Sequence, residues 1–414
     1  MTRRHFLLSL VLLLTLTVQS SAAVGIPVIV QLTSASALGG VLNILNGTLL
    51  DSIPGANIYL IRVPQLPVLT PLLSLLGVQW LEANYGQVLP PMSQLGIIQA
   101  AAGNAADWYK NQPAFQLARA GQALPYAQGQ GVVVADINSQ FDYSHPALAG
   151  HLTSGWDFVT RSYTDAALNQ SSSDFLDQSS SDFLDQSSSD FLDQSSSDFL
   201  DGTPLLGMKP AYSHGTLCAG IIAAVAPQAM IMPLRAFDDN GSSDNFTLAK
   251  AIRYAVDHGA HVINMSFGTL NDTKVMKSQI DFAKSRGVVL IASAGNNNTS
   301  AVQYPAAYSG VTAVAATDIQ DMKGSFSNFG SYVSMDAPGV NIISAYPGGL
   351  YSMVNGTSFS APMVAGTAAL VRSIKTTGVV SSISSTTVNI DAKNPGYAGK
   401  LGSGRIDILR SVHP

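Results

Sequence analysis

Asn355-Gly356-Thr357-Ser358-Phe359-Ser360-Ala361-Pro362 places a serine at a Gly-Thr turn, where a small-residue helical run from Ala361 to Ile374 begins. A hydroxyl there is exposed by the turn. It sits beside free backbone N–H groups and the positive end of the helix dipole. That setting suits an attacking oxygen and the oxyanion it creates. Pro362 is expected to be tolerated because first-turn N–H groups have no intrahelical partner. The plainer alternative is that Thr-Ser before a helix serves only as an N-cap.

Two more segments bear on that choice. Ser213-His214-Gly215-Thr216 puts a histidine at the start of a second small-residue helix, Thr216 to Ala224. Ala292-Ser293-Ala294-Gly295-Asn296 is an apolar strand ending in Gly-Asn, and an asparagine amide there can donate to a developing oxyanion. A lone histidine is more often structural, and a lone Gly-Asn is usually a turn. Together His214, Asn296 and Ser358 form an ordered set that resembles the subtilisin-like serine proteases, from about Gln112 to the C-terminus. Val262-Ile263-Asn264-Met265-Ser266-Phe267-Gly268, Tyr304-Pro305-Ala306-Ala307-Tyr308, Phe326-Ser327-Asn328-Phe329-Gly330, Ala337-Pro338-Gly339 and Gly404-Arg405-Ile406-Asp407 match further family segments in order.

The family's first catalytic motif is where the chain departs. Counting back from His145-Pro146 in Val132-Val133-Val134-Ala135-Asp136-Ile137-Asn138-Ser139-Gln140 puts the family's aspartate at Asn138. Asp136 lies two residues earlier, on the same strand face and roughly 6.5 Å away. Sites of open α/β sheets lie beyond the carboxyl ends of strands, which favours Asn138 as the neighbour of His214. Asparagine can hold the histidine tautomer but carries no charge to stabilise the imidazolium. Amidation of such an aspartate costs about 10⁴-fold in trypsin-like enzymes. Three readings stay open: Asn138 serves in the aspartate position, Asp136 or another carboxylate reaches His214, or the chain binds peptides without efficient cleavage. Leu217 and Met363 also replace histidines common in the family, and Cys218 is expected to pack.

The resemblance implies a catalytic set of Asn138, His214 and Ser358, with Asn296 in the oxyanion hole. It implies a substrate pocket walled by Ser266, Phe267 and Gly268 on one side and Ala294 and Gly295 on the other, with Gln303 at the base. Ser242-Ser243-Asp244 should offer an edge strand to substrate backbone. No cofactor is required for the chemistry. Structural calcium is expected from the resemblance alone, and its ligands are unknown.

The fold expected is α/β: a subtilisin-like parallel sheet with helices on both faces, over residues 113–414. Val132 to Ile137, Met230 to Arg235, Val262 to Ser266, Val288 to Ser293 and Val311 to Ala315 read as buried strands. Phe246 to His258 and Val275 to Arg286 read as helices between them. Residues 24–90 read as a small α+β, ferredoxin-like unit that resembles the family's inhibitory propeptide, and 91–112 as a linker holding the maturation cut. An octapeptide, Ser-Ser-Ser-Asp-Phe-Leu-Asp-Gln, recurs from Ser171 to 202 and reads as a disordered acidic insertion. Removing its eight aspartates would turn the formal net charge from −5 to +3, so the acidity is local.

Arg3-Arg4, the apolar run Leu7 to Val18 and Ser20-Ser21-Ala22-Ala23 read as a signal peptide over residues 1–23, for the general secretory or twin-arginine route. Secretion or a periplasmic location follows, with no membrane span after its removal. A single cysteine excludes an intramolecular disulfide. With 11% charged residues and no basic patch, nucleic-acid binding is not expected. The partners expected are a peptide or protein substrate and the chain's own propeptide.

Overall fold

Val133–Asn138 runs through the interior of a large sheet, with a parallel neighbour on each side. The computed structural model describes residues 25–67, 71–90, 92–98, 109–164 and 210–413. The signal-peptide and octapeptide-repeat readings lie outside these residues, as does part of the linker.

From one edge, the sheet order is Met335–Pro338, Val311–Thr317, Val289–Ser293, Val262–Met265, Val133–Asn138, Met230–Arg235 and Gly155–Asp157, all parallel. Ser162–Thr164 adds an antiparallel edge strand. Both faces of the central strands are covered, so they are apolar almost throughout, as in Val311–Thr317, where every residue is buried. Later strands add on one side of Val133–Asn138, and Met230–Arg235 adds on the other. Winding therefore reverses at this strand, and its carboxyl end opens into the crevice that such a switch point creates. Asn138 is its last residue.

Two helix pairs pack around the sheet: Asn245–Asp257 with Lys274–Ser285, and Pro210–Val225 with Thr357–Ile374. Small residues let the second pair approach closely. A Cβ on Gly366 would lie 2.8 Å from the Val225 Cβ. Ahead of the first core strand lie two short helices, Pro113–Leu117 and Ala120–Ala123, kept apart because Arg119 between them takes a left-handed φ of 61°.

Residues up to Ala83 form a separate compact unit. Its order is strand Ile26–Leu32, helix Leu38–Leu45, strands Thr48–Ile53 and Ile58–Val63, helix Pro71–Leu75 and strand Val78–Ala83. The antiparallel sheet runs Thr48–Ile53, Ile58–Val63, Ile26–Leu32, Val78–Ala83, the order of a split β-α-β unit. Val28, Val30, Val41, Ile61, Leu73 and Val78 fill its core. From Asn84 onward the chain groups with the larger unit. The stretch read as a linker also holds a strand, Ser93–Ile98, paired antiparallel to Leu350–Asn355.

Candidate active site

His214 lies in the first turns of Pro210–Val225 and is 1% exposed. Gly215 follows it because a side chain there would strike main chain: its Cβ would lie 2.5 Å from the Gln140 carbonyl oxygen. The Nδ1 of His214 is 2.6 Å from the Oδ1 of Asn138. The Ser139 N–H also donates to that oxygen, at 2.9 Å, and the Asn138 amide nitrogen donates to Asp136 Oδ1 at 3.2 Å. These contacts fix the amide with its oxygen toward the imidazole. His214 therefore carries its proton on Nδ1, leaving the Nε2 lone pair available as a base. Nε2 is buried and has no partner among the described residues. Burial pulls the His214 pKa down to about 4.

Ser358 is the second residue of the helix Thr357–Ile374, which begins four residues earlier than expected. Its hydroxyl donates to the Ser266 carbonyl at 3.3 Å rather than to His214. Such Ser-His bonds are often long or poorly aligned before substrate arrives. Pro362 lies in the second turn, not the first, so the reason first given for its tolerance does not hold. Lacking an N–H, Pro362 leaves the Ser358 carbonyl without its helical donor. The Ser266 hydroxyl takes that place at 2.9 Å and the Cys218 thiol at 3.4 Å.

Asn296 is held against the turn before the nucleophile. Its Oδ1 accepts from the Thr357 N–H at 2.9 Å and from the Thr357 hydroxyl at 2.7 Å. Those two bonds set the amide's orientation with Nδ2 on the other side. A Cβ on Gly356 would lie 3.4 Å from that nitrogen.

Gln303 reaches both proposed pocket walls. Its Oε1 would meet a Cβ on Gly268 at 2.8 Å and one on Gly295 at 2.3 Å. Gly295 also has a φ of 107°, so glycine is required there twice over. Phe267 packs on Phe237 with ring centroids 5.4 Å apart, and Ala294 is fully buried.

The edge strand Ser242–Asp244 carries Gly86–Val88 as an antiparallel partner. Leu89 N–H donates to the Gly241 carbonyl at 2.8 Å, and the Gln87 amide donates to Asn245 Oδ1 at 2.8 Å. Further along, Ser93 faces Asn355, just ahead of the nucleophile turn. Gly86–Val88 and Ser93–Ile98 thus pair with two different strands, the second of which leads directly into the Ser358 turn.

Sequence reading missed Asn264. It donates to Asp136 Oδ1 at 2.9 Å and to the Ser266 hydroxyl at 3.0 Å. Its alternation with Ser266 along one strand put both on one face, which was the available signal. Asp136 is fully buried, and burial raises its pKa to about 7 against the pull of the two asparagine amides. Among the described residues no three His, Cys, Asp or Glu side chains group as a cation site, so the expected calcium is assigned no ligands. No described helix is long and apolar enough to cross a membrane.

The profile of the subtilase family, peptidase S8, matches residues 129–404. Thermitase from Thermoactinomyces vulgaris is 34% identical over 307 residues, 72% of this chain and 94% of that one. Subtilisin Savinase from Lederbergia lenta is 39% identical over 168 residues, 38% of this chain and 62% of that one. In fold, the chain matches the crystal structure of fervidolysin from Fervidobacterium pennivorans, titled a keratinolytic enzyme related to subtilisin. The TM-score is 0.69 at 24% identity, over 96% of this chain and 62% of that one. The chain belongs to the subtilase family of subtilisin-like serine proteases.

Proposed function

We propose that this chain is an exported serine endopeptidase, made as a zymogen, in which Asn138 stands where the family has aspartate. The observation that carries the reading is the 2.6 Å bond from His214 Nδ1 to Asn138 Oδ1, which leaves Nε2 as the base. Ser358 Oγ attacks the peptide carbonyl while Nε2 takes its proton. The oxyanion forms beside the Asn296 amide and the Ser358 N–H. Nε2 then returns the proton to the departing amine, and water hydrolyses the acyl-enzyme by the same route. Ser266–Gly268, Ala294–Gly295 and Gln303 form the pocket, which suits an uncharged side chain. Residues 24–90 act as the propeptide, and the pairing of Gly86–Val88 with Ser242–Asp244 blocks the substrate edge until it is released. Export rests on the N-terminal residues 1–23.

The test is the rate at which a small fluorophosphonate labels Ser358, before and after removal of the N-terminal segment by limited proteolysis. Labelling of the wild-type protein that is lost in His214→Ala supports the enzyme. Labelling only in Asn138→Asp means a peptide-binding protein with its chemistry switched off.

A further inference from the structure

The carboxylate missing from position 138 is present two residues earlier, on the same face of the same strand. Asp136 Oδ1 accepts from Asn138 Nδ2 at 3.2 Å, and Asn138 Oδ1 faces His214 Nδ1 at 2.6 Å. A second amide, Asn264 Nδ2, holds the same Asp136 oxygen at 2.9 Å from the neighbouring strand. All four side chains are buried, with Asp136, Asn138 and Asn264 at 0% exposure. A structural aspartate buried this deeply would be expected to have both oxygens satisfied. Here Oδ2 has no partner among the described residues, and the side chain is tied to the histidine's own partner.

We infer that Asp136 is the positioning carboxylate of this active site, acting on His214 through the Asn138 amide. The inference rests on the serine-protease reading above and adds to it a residue and a mode of action. The amide is lined up to transmit charge. Its NH₂ end points at a carboxylate and its oxygen at the imidazole, so ionised Asp136 makes Oδ1 a stronger acceptor. When Nε2 takes the serine proton, the new imidazolium charge faces that oxygen. No proton leaves Nδ1, and none needs to cross the amide. Burial holds Asp136 neutral up to about pH 7, so the full effect sets in above that value. Among the described residues the titratable group that feels the Asp136 charge is Cys218, on the helix Pro210–Val225, and His214 on the same helix lies beyond the Asn138 amide. Cys218 stays a neutral thiol because burial and Asp136 both raise its pKa. The partners on the two strands, Asn138 and Asn264, do not titrate.

The test compares the full-length protein with Asp136→Asn, which keeps shape and removes charge, and with the double variant Asp136→Asn/Asn138→Asp, which moves the carboxylate onto the histidine. The substrate is a tetrapeptide p-nitroanilide with an uncharged residue at the cut site, followed from pH 5 to 10. Asp136→Asn is expected to lose about 10- to 100-fold in kcat, the size typical of outer-shell partners. KM should be unchanged, and the rise in kcat centred near pH 7 should disappear. The double variant should recover kcat to the wild-type level or above. A merely structural Asp136 would leave the inflection near pH 7 in place. The double variant, which restores the family's aspartate position on His214, shows that the site survives loss of the Asp136 carboxylate. If Asp136→Asn keeps either kcat or the inflection, the relay is wrong. Failure of the underlying enzyme reading looks different: the wild-type protein then turns over no substrate, and fluorophosphonate labels Ser358 only in the variants that carry Asn138→Asp, or in none.

Discussion

Without Ser266, the Ser358 carbonyl would lose its best donor, since Pro362 has no N–H to offer it. Ser266→Ala is therefore expected to destabilise the fold by about 1 kcal/mol, since the weak Cys218 thiol donor alone would then serve that carbonyl. Urea unfolding would measure it. Asn296→Ala is expected to lose about 10²–10³-fold in kcat with little change in KM, the size this kind of donor has in subtilisin itself. Steady-state kinetics on a peptide substrate checks it, and a loss confined to KM would place Asn296 outside the oxyanion site. At this scale the sequence nominates residues whose type carries its own chemistry, His214, Ser358, Asn296 and the odd Asn138, and the fold brings His214 and Asn138 to 2.6 Å. Asn264 was not nominated, because an asparagine in an apolar strand gives no hint of its cross-strand partner. The role of Pro362 was misread because it depends on which carbonyl the missing N–H leaves open.

Among the elements, the helices Pro210–Val225 and Thr357–Ile374 hold the base and the nucleophile. Gly366 permits their approach, and a Cβ there would lie 2.9 Å from Val225 Cγ1. Gly366→Ala is expected to overpack the contact and cost about 1–3 kcal/mol, read as a lower thermal midpoint. The strands flanking the Ser358 region make a second prediction. Between Leu89, bound to Gly241, and Ser93, opposite Asn355, the sequence is Pro90-Pro91-Met92. A proline nitrogen is a tertiary amide with a crowded approach. The zymogen reading therefore expects the mature N-terminus not at Pro91 but beyond Ile98. Terminal sequencing of the processed protein decides this, and Pro91→Ala should create a new cut after Pro90. The long apolar strands of the sheet were legible from their composition. The short strands Gly155–Asp157 and Met335–Pro338 were not, since three or four residues with one or two apolar side chains carry no period.

Over the whole molecule, two buried titrations oppose each other. Asp136 has a pKa of about 7 when folded and 3.8 ordinarily, so between those values the folded chain binds more protons and this contribution to stability falls as pH rises. His214 has a pKa of about 4 when folded and 6.5 ordinarily, so its contribution falls as pH drops through that window. Relative to wild type, Asp136→Asn should lose stability as pH is lowered from 7 to 4, and His214→Ala should gain it from 6.5 to 4. Thermal midpoints across pH 4–8 test both signs. The nucleophile's helix has a consequence of its own. Every residue from Thr357 to Val371 is buried, so this segment has no solvent-facing side from which to fray. Its backbone amides should exchange with deuterium only through opening of the whole domain. Heat inactivation should then follow the rate of global unfolding, and the shelf life of the nucleophile would be that of the entire sheet around it.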